Sequence, residues 1–100
     1  MADHTDIPAS GRYRVERISG LLPPGLGKTI DGDRGVTTLA GKPLARFGTA
    51  GRSLIYDWLP VRDRLQREPD GSWTGRGIVA GIEFCQFRLV PEGTPADDPL

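Results

Sequence analysis

Between Gly51 and Pro91 the chain reads as short runs of apolar and β-favouring residues, broken by turn signals and never by a pattern of helical length. Leu54, Tyr56 and Trp58 alternate with Ile55, Asp57 and Leu59, Asp70-Gly71 marks a turn, and Gly81 separates two further strand-like runs. The pattern predicts strands over Arg52–Leu59, Val61–Arg67, Ser72–Ala80 and Ile82–Leu89. Nearer the start, Gly11–Ser19 puts Tyr13, Val15 and Arg17 on one face and Arg14, Glu16 and Ile18 on the other, a first strand with Tyr13 and Val15 inward. Asp31-Gly32-Asp33 turns into a short strand at Val36–Leu39, and Gly41-Lys42-Pro43 turns into another at Leu44–Phe47. Gly20–Gly27 (GLLPPGLG) is expected to be a loop, because paired prolines remove two backbone donors; Leu21, Leu22 and Leu26 would be the apolar contacts of a lid.

About seven or eight strands, each taking on the order of ten residues with its turn, indicate an all-β sandwich or barrel. Short consecutive connections favour the barrel, since nearest-neighbour antiparallel pairing is then the default. The expected organisation is a small antiparallel up-and-down barrel over residues 11–91, with flexible tails at 1–10 and 92–100, the second acidic. No internal repeat stands out.

Composition narrows the function classes. A chain of 100 residues forms one domain with a modest interior. Thirteen basic residues balance thirteen acidic ones, so no whole-molecule field recruits nucleic acid or an anionic membrane, and neither is an expected partner. The apolar runs fall far short of the roughly 20 residues that span a bilayer as a helix. Cys85 is the single cysteine, which excludes an intrachain disulfide, and MADHTDIPAS lacks the basic and apolar regions of a secretory signal; the expected location is cytoplasmic.

The stretch Tyr56-Asp57-Trp58-Leu59-Pro60-Val61-Arg62-Asp63-Arg64-Leu65, followed by the aromatic strand Phe84-Cys85-Gln86-Phe87-Arg88-Leu89, resembles the C-terminal part of a bacterial lipocalin-like family. Members carry Tyr-Asp-x-Leu-Pro-(Ile/Val)-x-Asp-x-Phe and a Gly-x-Trp-x-Gly motif, which stands here as Gly71-Ser72-Trp73-Thr74-Gly75. Two departures are plain: Leu65 replaces the aromatic, and Gly-x-Trp-x-Gly follows the other motif instead of lying near the N-terminus. The resemblance covers about 40 residues and implies a small calycin-type barrel with an apolar interior; it transfers no catalytic residue. Gly11-Arg12-Tyr13 and Arg88 also resemble the lipocalin arrangement in which an aromatic on the first strand packs under an arginine from the last. An ordinary strand aromatic and an ordinary surface arginine remain the alternative.

Candidate chemistry is sparse. Pro23-Pro24-Gly25-Leu26-Gly27-Lys28-Thr29 resembles a phosphate loop, but Leu22 stands where its first glycine is needed, and no helix pattern follows. His4 is the single histidine, which removes histidine-based triads and metal or haem ligation, and no metal or cofactor is expected. Arg12, Arg14 and Arg17 are interrupted by Glu16 and change faces, so they form no basic patch. Cys85 has the neighbours of a small buried hydrophobe.

The last strand has two largely apolar faces, Ile82, Phe84, Gln86, Arg88 and Val90 against Glu83, Cys85, Phe87 and Leu89. Either a second copy of the chain covers the outer wall, making a homodimer, or polar groups among aromatics line a ligand cavity. The candidate ligand contacts are Tyr13, Leu54, Tyr56, Trp58, Trp73, Phe84 and Phe87, with Arg88 orienting a polar group. Tyr56, Asp63 and Glu83 are the candidate proton-transfer residues, and Asp57 is the remaining carboxylate of that region.

Three functions follow. One is binding of a small apolar or aromatic molecule inside the barrel. The second is a cofactor-independent isomerase or cyclase confining a polyketide- or terpenoid-like substrate. The third is a structural or assembly role. An internal cavity suits the first two, and a filled barrel the third.

Overall fold

The computed structural model describes residues 7–92, so most of both expected tails, residues 1–6 and 93–100, lies outside the described residues. Eight strands follow one another: β1 (Gly11–Gly20), β2 (Leu26–Asp31), β3 (Arg34–Leu39), β4 (Lys42–Ala50), β5 (Ser53–Tyr56), β6 (Val61–Arg67), β7 (Trp73–Val79) and β8 (Ile82–Pro91). Each pairs antiparallel with the next, and β8 closes on β1 to complete an up-and-down barrel. Closure leaves no strand without a partner on either side, although some ladders stop short of the strand ends. Among the described residues no helix is long and apolar enough to cross a membrane.

β3 starts earlier than the expected Val36–Leu39 and β4 runs longer than the expected Leu44–Phe47, taking in Lys42 and Pro43, and two further elements differ more. The Gly20–Gly27 loop ends at Gly25, because Leu26, Lys28 and Ile30 alternate inward along β2. An inward lysine breaks the apolar alternation, which hides the strand. β5 is shorter than Arg52–Leu59: the chain leaves the ladder after Tyr56, and the Asp57 amide donates to the Arg46 carbonyl. Trp58 therefore falls in the bend before Pro60 and is 71% exposed, not on the inward face with Tyr56.

A repeat that the residues alone do not advertise is visible in three dimensions. The hairpins β3–β4 and β7–β8 lie on opposite walls and correspond position for position at an offset of 40 residues. Both turn on an alanine and a glycine at positive φ, Ala40-Gly41 and Ala80-Gly81. Both carry a bulge at the same place, after Thr37 and after Gly77, with Leu44 and Phe84 as the extra residues. In both, an inward phenylalanine lies across a glycine of the paired strand: Phe47 opposite Gly35, Phe87 opposite Gly75. A Cβ on either glycine would come within 2.4–2.5 Å of the ring's Cζ, so the absent side chain is the space the ring occupies.

An eight-stranded barrel has a bore just wide enough for side chains to fill. Here Phe47, Phe87, Ile30, Leu54 and Leu89 are all but inaccessible and meet from both walls, with Leu65, Cys85 and Ala45 beside them. The ambiguity of the last strand resolves accordingly. Cys85, Phe87 and Leu89 point inward, while Gln86 and Arg88 face out.

Candidate functional site

Three polar side chains are buried among these hydrophobes: Lys28, Thr37 and Asp63, each no more than 5% exposed. β2 and β3 set Lys28 directly opposite Thr37, whereas Tyr56 and Asp63 come from β5 and β6 on the far wall. The lysine stem crosses the bore to reach them. Its ammonium donates to Thr37 Oγ1 at 2.8 Å and to Tyr56 Oη at 2.6 Å, and pairs with Asp63 Oδ2 at 2.8 Å. Tyr56 donates to the same Asp63 oxygen at 3.0 Å, which leaves Thr37 to donate to Tyr56 across their 2.6 Å contact. Three ammonium protons and two hydroxyl protons are all spent within the quartet.

The ammonium also lies 5.5 Å from the centroids of Phe47 and Phe87 and 5.3 Å from that of Tyr56. The two phenyl rings of the repeated hairpins thus flank one cation, whose attraction to ring faces adds to its pairing.

Electrostatics follow from this geometry. Burial opposes the charge on Lys28, but Asp63 and Tyr56 outweigh it and hold the amine above its ordinary value. Burial raises Tyr56 as well, against the pull of Lys28, so the phenol stays neutral. The quartet is therefore a cation and a neutral phenol at neutral pH. Removing one member of a buried pair strands the other, whereas the intact pair contributes little net stability over an apolar replacement.

Tyr56 and Asp63, two of the three candidate proton-transfer residues, are thus brought together. Glu83 is not: it lies on the outer wall, near Arg76 at 3.8 Å and accepting from Gln86 at 2.8 Å. Asp57 is also outside, paired with Arg34 at 2.6 Å. Of the candidate ligand contacts, Tyr13, Leu54, Tyr56 and Phe87 face the interior, and Trp73 and Phe84 are half-buried against it. Trp58 and Arg88 stand outside. Tyr13 does not pack under Arg88, because the β1–β8 register sets Arg88 against Glu16 and Tyr13 against Pro91. The Tyr13 hydroxyl donates to the Ala9 carbonyl at 2.6 Å, and burial raises its pKa. Cys85 is 3% exposed and its thiol is pushed up chiefly by burial, away from the reactive thiolate.

Lys28 and Thr37 were missed by sequence reasoning, although the alternation Leu26-x-Lys28-x-Ile30 was a signal for an inward lysine. Among the described residues no three of His, Cys, Asp and Glu gather as metal ligands would.

Clefts open on the barrel at two places that bear on function. The smaller, about 440 Å³, follows a seam in the wall. The β1–β2 ladder stops at Arg14–Gly27, while β1 runs on to Gly20 against β8 alone. Tyr13, Val15, Leu26 and Lys28 line this seam, with Arg12 and Arg14 also along it. The larger, about 1410 Å³, is an open trough over the outer wall of β5–β8. Compared with models of known families, with curated proteins and with solved structures, the chain matches none of them.

Proposed function

We propose that this barrel binds a small aromatic or apolar molecule bearing an acidic group, and that its site is the β1–β2 seam. The observation that carries the proposal is the seam itself: a cleft of about 440 Å³ reaching from the surface to the inward residues Tyr13 and Leu26. That volume falls within the range of small-molecule sites, which pair apolar walls with a few placed polar groups. Val15, Leu26 and the Tyr13 ring supply the apolar wall; Arg12 supplies positive charge along the opening, where Arg14 is paired with Glu16 at 2.8 Å and Glu92 also lies. Deeper in, the quartet and the two phenylalanines fill the bore, so the proposed site is this cleft in the wall and not the central cavity expected from the sequence. The likeness of Tyr56–Leu65 to bacterial lipocalin-like proteins, small barrels with apolar interiors, supports the same reading.

Binding is favoured over turnover for a stated reason. Tyr56 and Asp63 have the chemistry of proton transfer, but the Tyr56 hydroxyl is engaged by Lys28, Thr37 and Asp63 together. A general acid or base needs its transferable proton or lone pair within reach of substrate.

The test uses 1-anilinonaphthalene-8-sulfonate, an aromatic anion whose fluorescence rises in apolar sites. Saturable binding with one molecule per chain is expected, abolished by Leu26→Trp, which fills the seam, and unchanged by Tyr56→Phe. Absence of saturation, or equal binding by the Leu26→Trp variant with an unaltered melting temperature, overturns the proposal.

A further inference from the structure

The outer wall of β5–β8 carries a second kind of surface. Five of the eleven arginines of the chain, Arg52, Arg62, Arg64, Arg76 and Arg88, line the trough. They are set by strand register. Arg62 and Arg64 share the outward face of β6, about 7 Å apart as alternate residues of a strand are. Arg64 stands directly opposite Arg76 of β7, and Thr74 directly opposite Arg88 of β8. Like charges set opposite one another on a sheet are destabilising, so folding alone gives no reason for the Arg64–Arg76 pair.

Arginines outnumber carboxylates in the trough, five against Glu68 and Asp70. Arg76 has Glu83 at 3.8 Å, and Arg62, Arg64 and Arg88 form no ion pair among the described residues. Glu68 and Asp70 also line the trough: Glu68 accepts from Thr74, and Asp70 accepts from the amide and hydroxyl of Ser72 and is attracted to Arg88. The neutral total of the chain is unevenly spread along the sequence. Residues 7–92 hold all thirteen basic side chains but nine of the thirteen acidic ones, a surplus of four positive charges, because Asp3, Asp6, Asp97 and Asp98 lie at the two ends of the sequence.

We propose that this trough binds the phosphate backbone of nucleic acid without regard to base sequence. The donors suit phosphate: guanidinium groups bind its oxygens in pairs, and Gln66 adds amide donors between them. Among the described residues no aromatic side chain lines the trough, so it offers no platform for base stacking. An acidic protein segment is the weaker fit, because protein interfaces are organised around buried aromatic or aliphatic anchors, and apart from Leu65, itself buried in the core, the large apolar residues lining the trough among the described residues are Ile18, Pro69 and Ile78. This surface is on a different wall from the seam and stands independently of the small-molecule reading.

The experiment is fluorescence anisotropy of a labelled 20-nucleotide oligo(dT) titrated with the full chain from 50 to 200 mM salt. Engagement of four to five phosphates gives a slope of log K on log salt of about −3. The double variant Arg64→Gln/Arg76→Gln is expected to weaken binding at least tenfold at 50 mM salt and to flatten the slope by about 1.4, as loss of two phosphate contacts does. Its melting temperature should be no lower than that of the parent, since the change relieves a repulsion. Arg46→Gln, on β4 away from the trough, should bind as the parent does. No binding at 50 mM salt, an equal loss in Arg46→Gln, or competition by poly-glutamate as strong as by unlabelled oligo(dT) each overturns the proposal, the last by pointing to an acidic protein segment instead.

Discussion

Lys28 and Arg64 carry the same charge on neighbouring regions of one small barrel, and the two regions treat it in opposite ways. Inside, Lys28 has three oxygen acceptors within 2.8 Å and aromatic rings on several sides. Outside, Arg64 faces another arginine across the ladder. A cation in a low-dielectric bore is tolerated only when it is fully satisfied, and full satisfaction leaves it nothing to offer a ligand. A cation on the wet outer wall can stand unpaired at small cost, and that makes it available. Charged residues in the core are therefore the ones whose loss damages the fold, and those on the wall the ones whose loss damages recognition.

The largest effect should come from separating the buried pair. Lys28→Ala leaves Asp63 and Tyr56 without their cation and should lower unfolding free energy by about 3–5 kcal/mol, read as a fall in the denaturant midpoint. The double variant Lys28→Met/Asp63→Leu removes both charges and should recover most of that loss. If the double is as unstable as the single, the quartet fixes the relation between the two walls and does not merely satisfy itself. The same pair has a pH signature. Lys28 and Tyr56 both have folded pKa values above their ordinary ones, so the stabilisation is fully present below about pH 10 and is lost as pH rises through the folded values. Chemical denaturation between pH 7 and pH 11 should show that loss in the parent, with the lysine contribution gone in Lys28→Met/Asp63→Leu.

Next in size is the packing of the repeated hairpins. Gly75→Ala drives a methyl group to within 2.4 Å of Phe87, and should cost about 1–3 kcal/mol through overpacking. Pairing it with Phe87→Leu should return part of this, a coupling that a double-mutant cycle measures. A smaller change of opposite sign is expected at the turn: Ala80 has φ of 52°, a left-handed conformation that disfavours a side chain with Cβ, and Ala80→Gly should stabilise by up to about 1 kcal/mol. Smallest of all, Arg64→Gln should move stability by no more than about 0.5 kcal/mol, as exposed substitutions do. A loss larger than that of Gly75→Ala would reverse the comparison, making the arginine wall part of the fold's own support.

The period-two alternation of Tyr13 and Val15, and later of Leu54 and Tyr56, with turn residues at short intervals, was enough to establish an all-β chain of short antiparallel strands, because strand formation and turn chemistry are local. Tyr56 and Asp63 were legible as chemistry-bearing residues for the same reason: a phenol and a carboxylate sit in a region of strong β pattern. Local pattern could not show that Lys28 shares their site, since its partners come from strands that adjoin it only after the barrel closes. It could not assign the faces of β8 either, because with apolar residues on both sides only the pairing register decides which points inward. Register likewise placed Arg88 outside and set Arg64 against Arg76, while the end of the β5 ladder at Tyr56 left Trp58 in an exposed bend. What the amino-acid order determined by itself was the set of strands and turns; which charges are cancelled in the bore and which stand together on the wall was decided by tertiary closure, because Coulombic and hydrogen-bond partners are chosen by distance in space and not by separation along the chain.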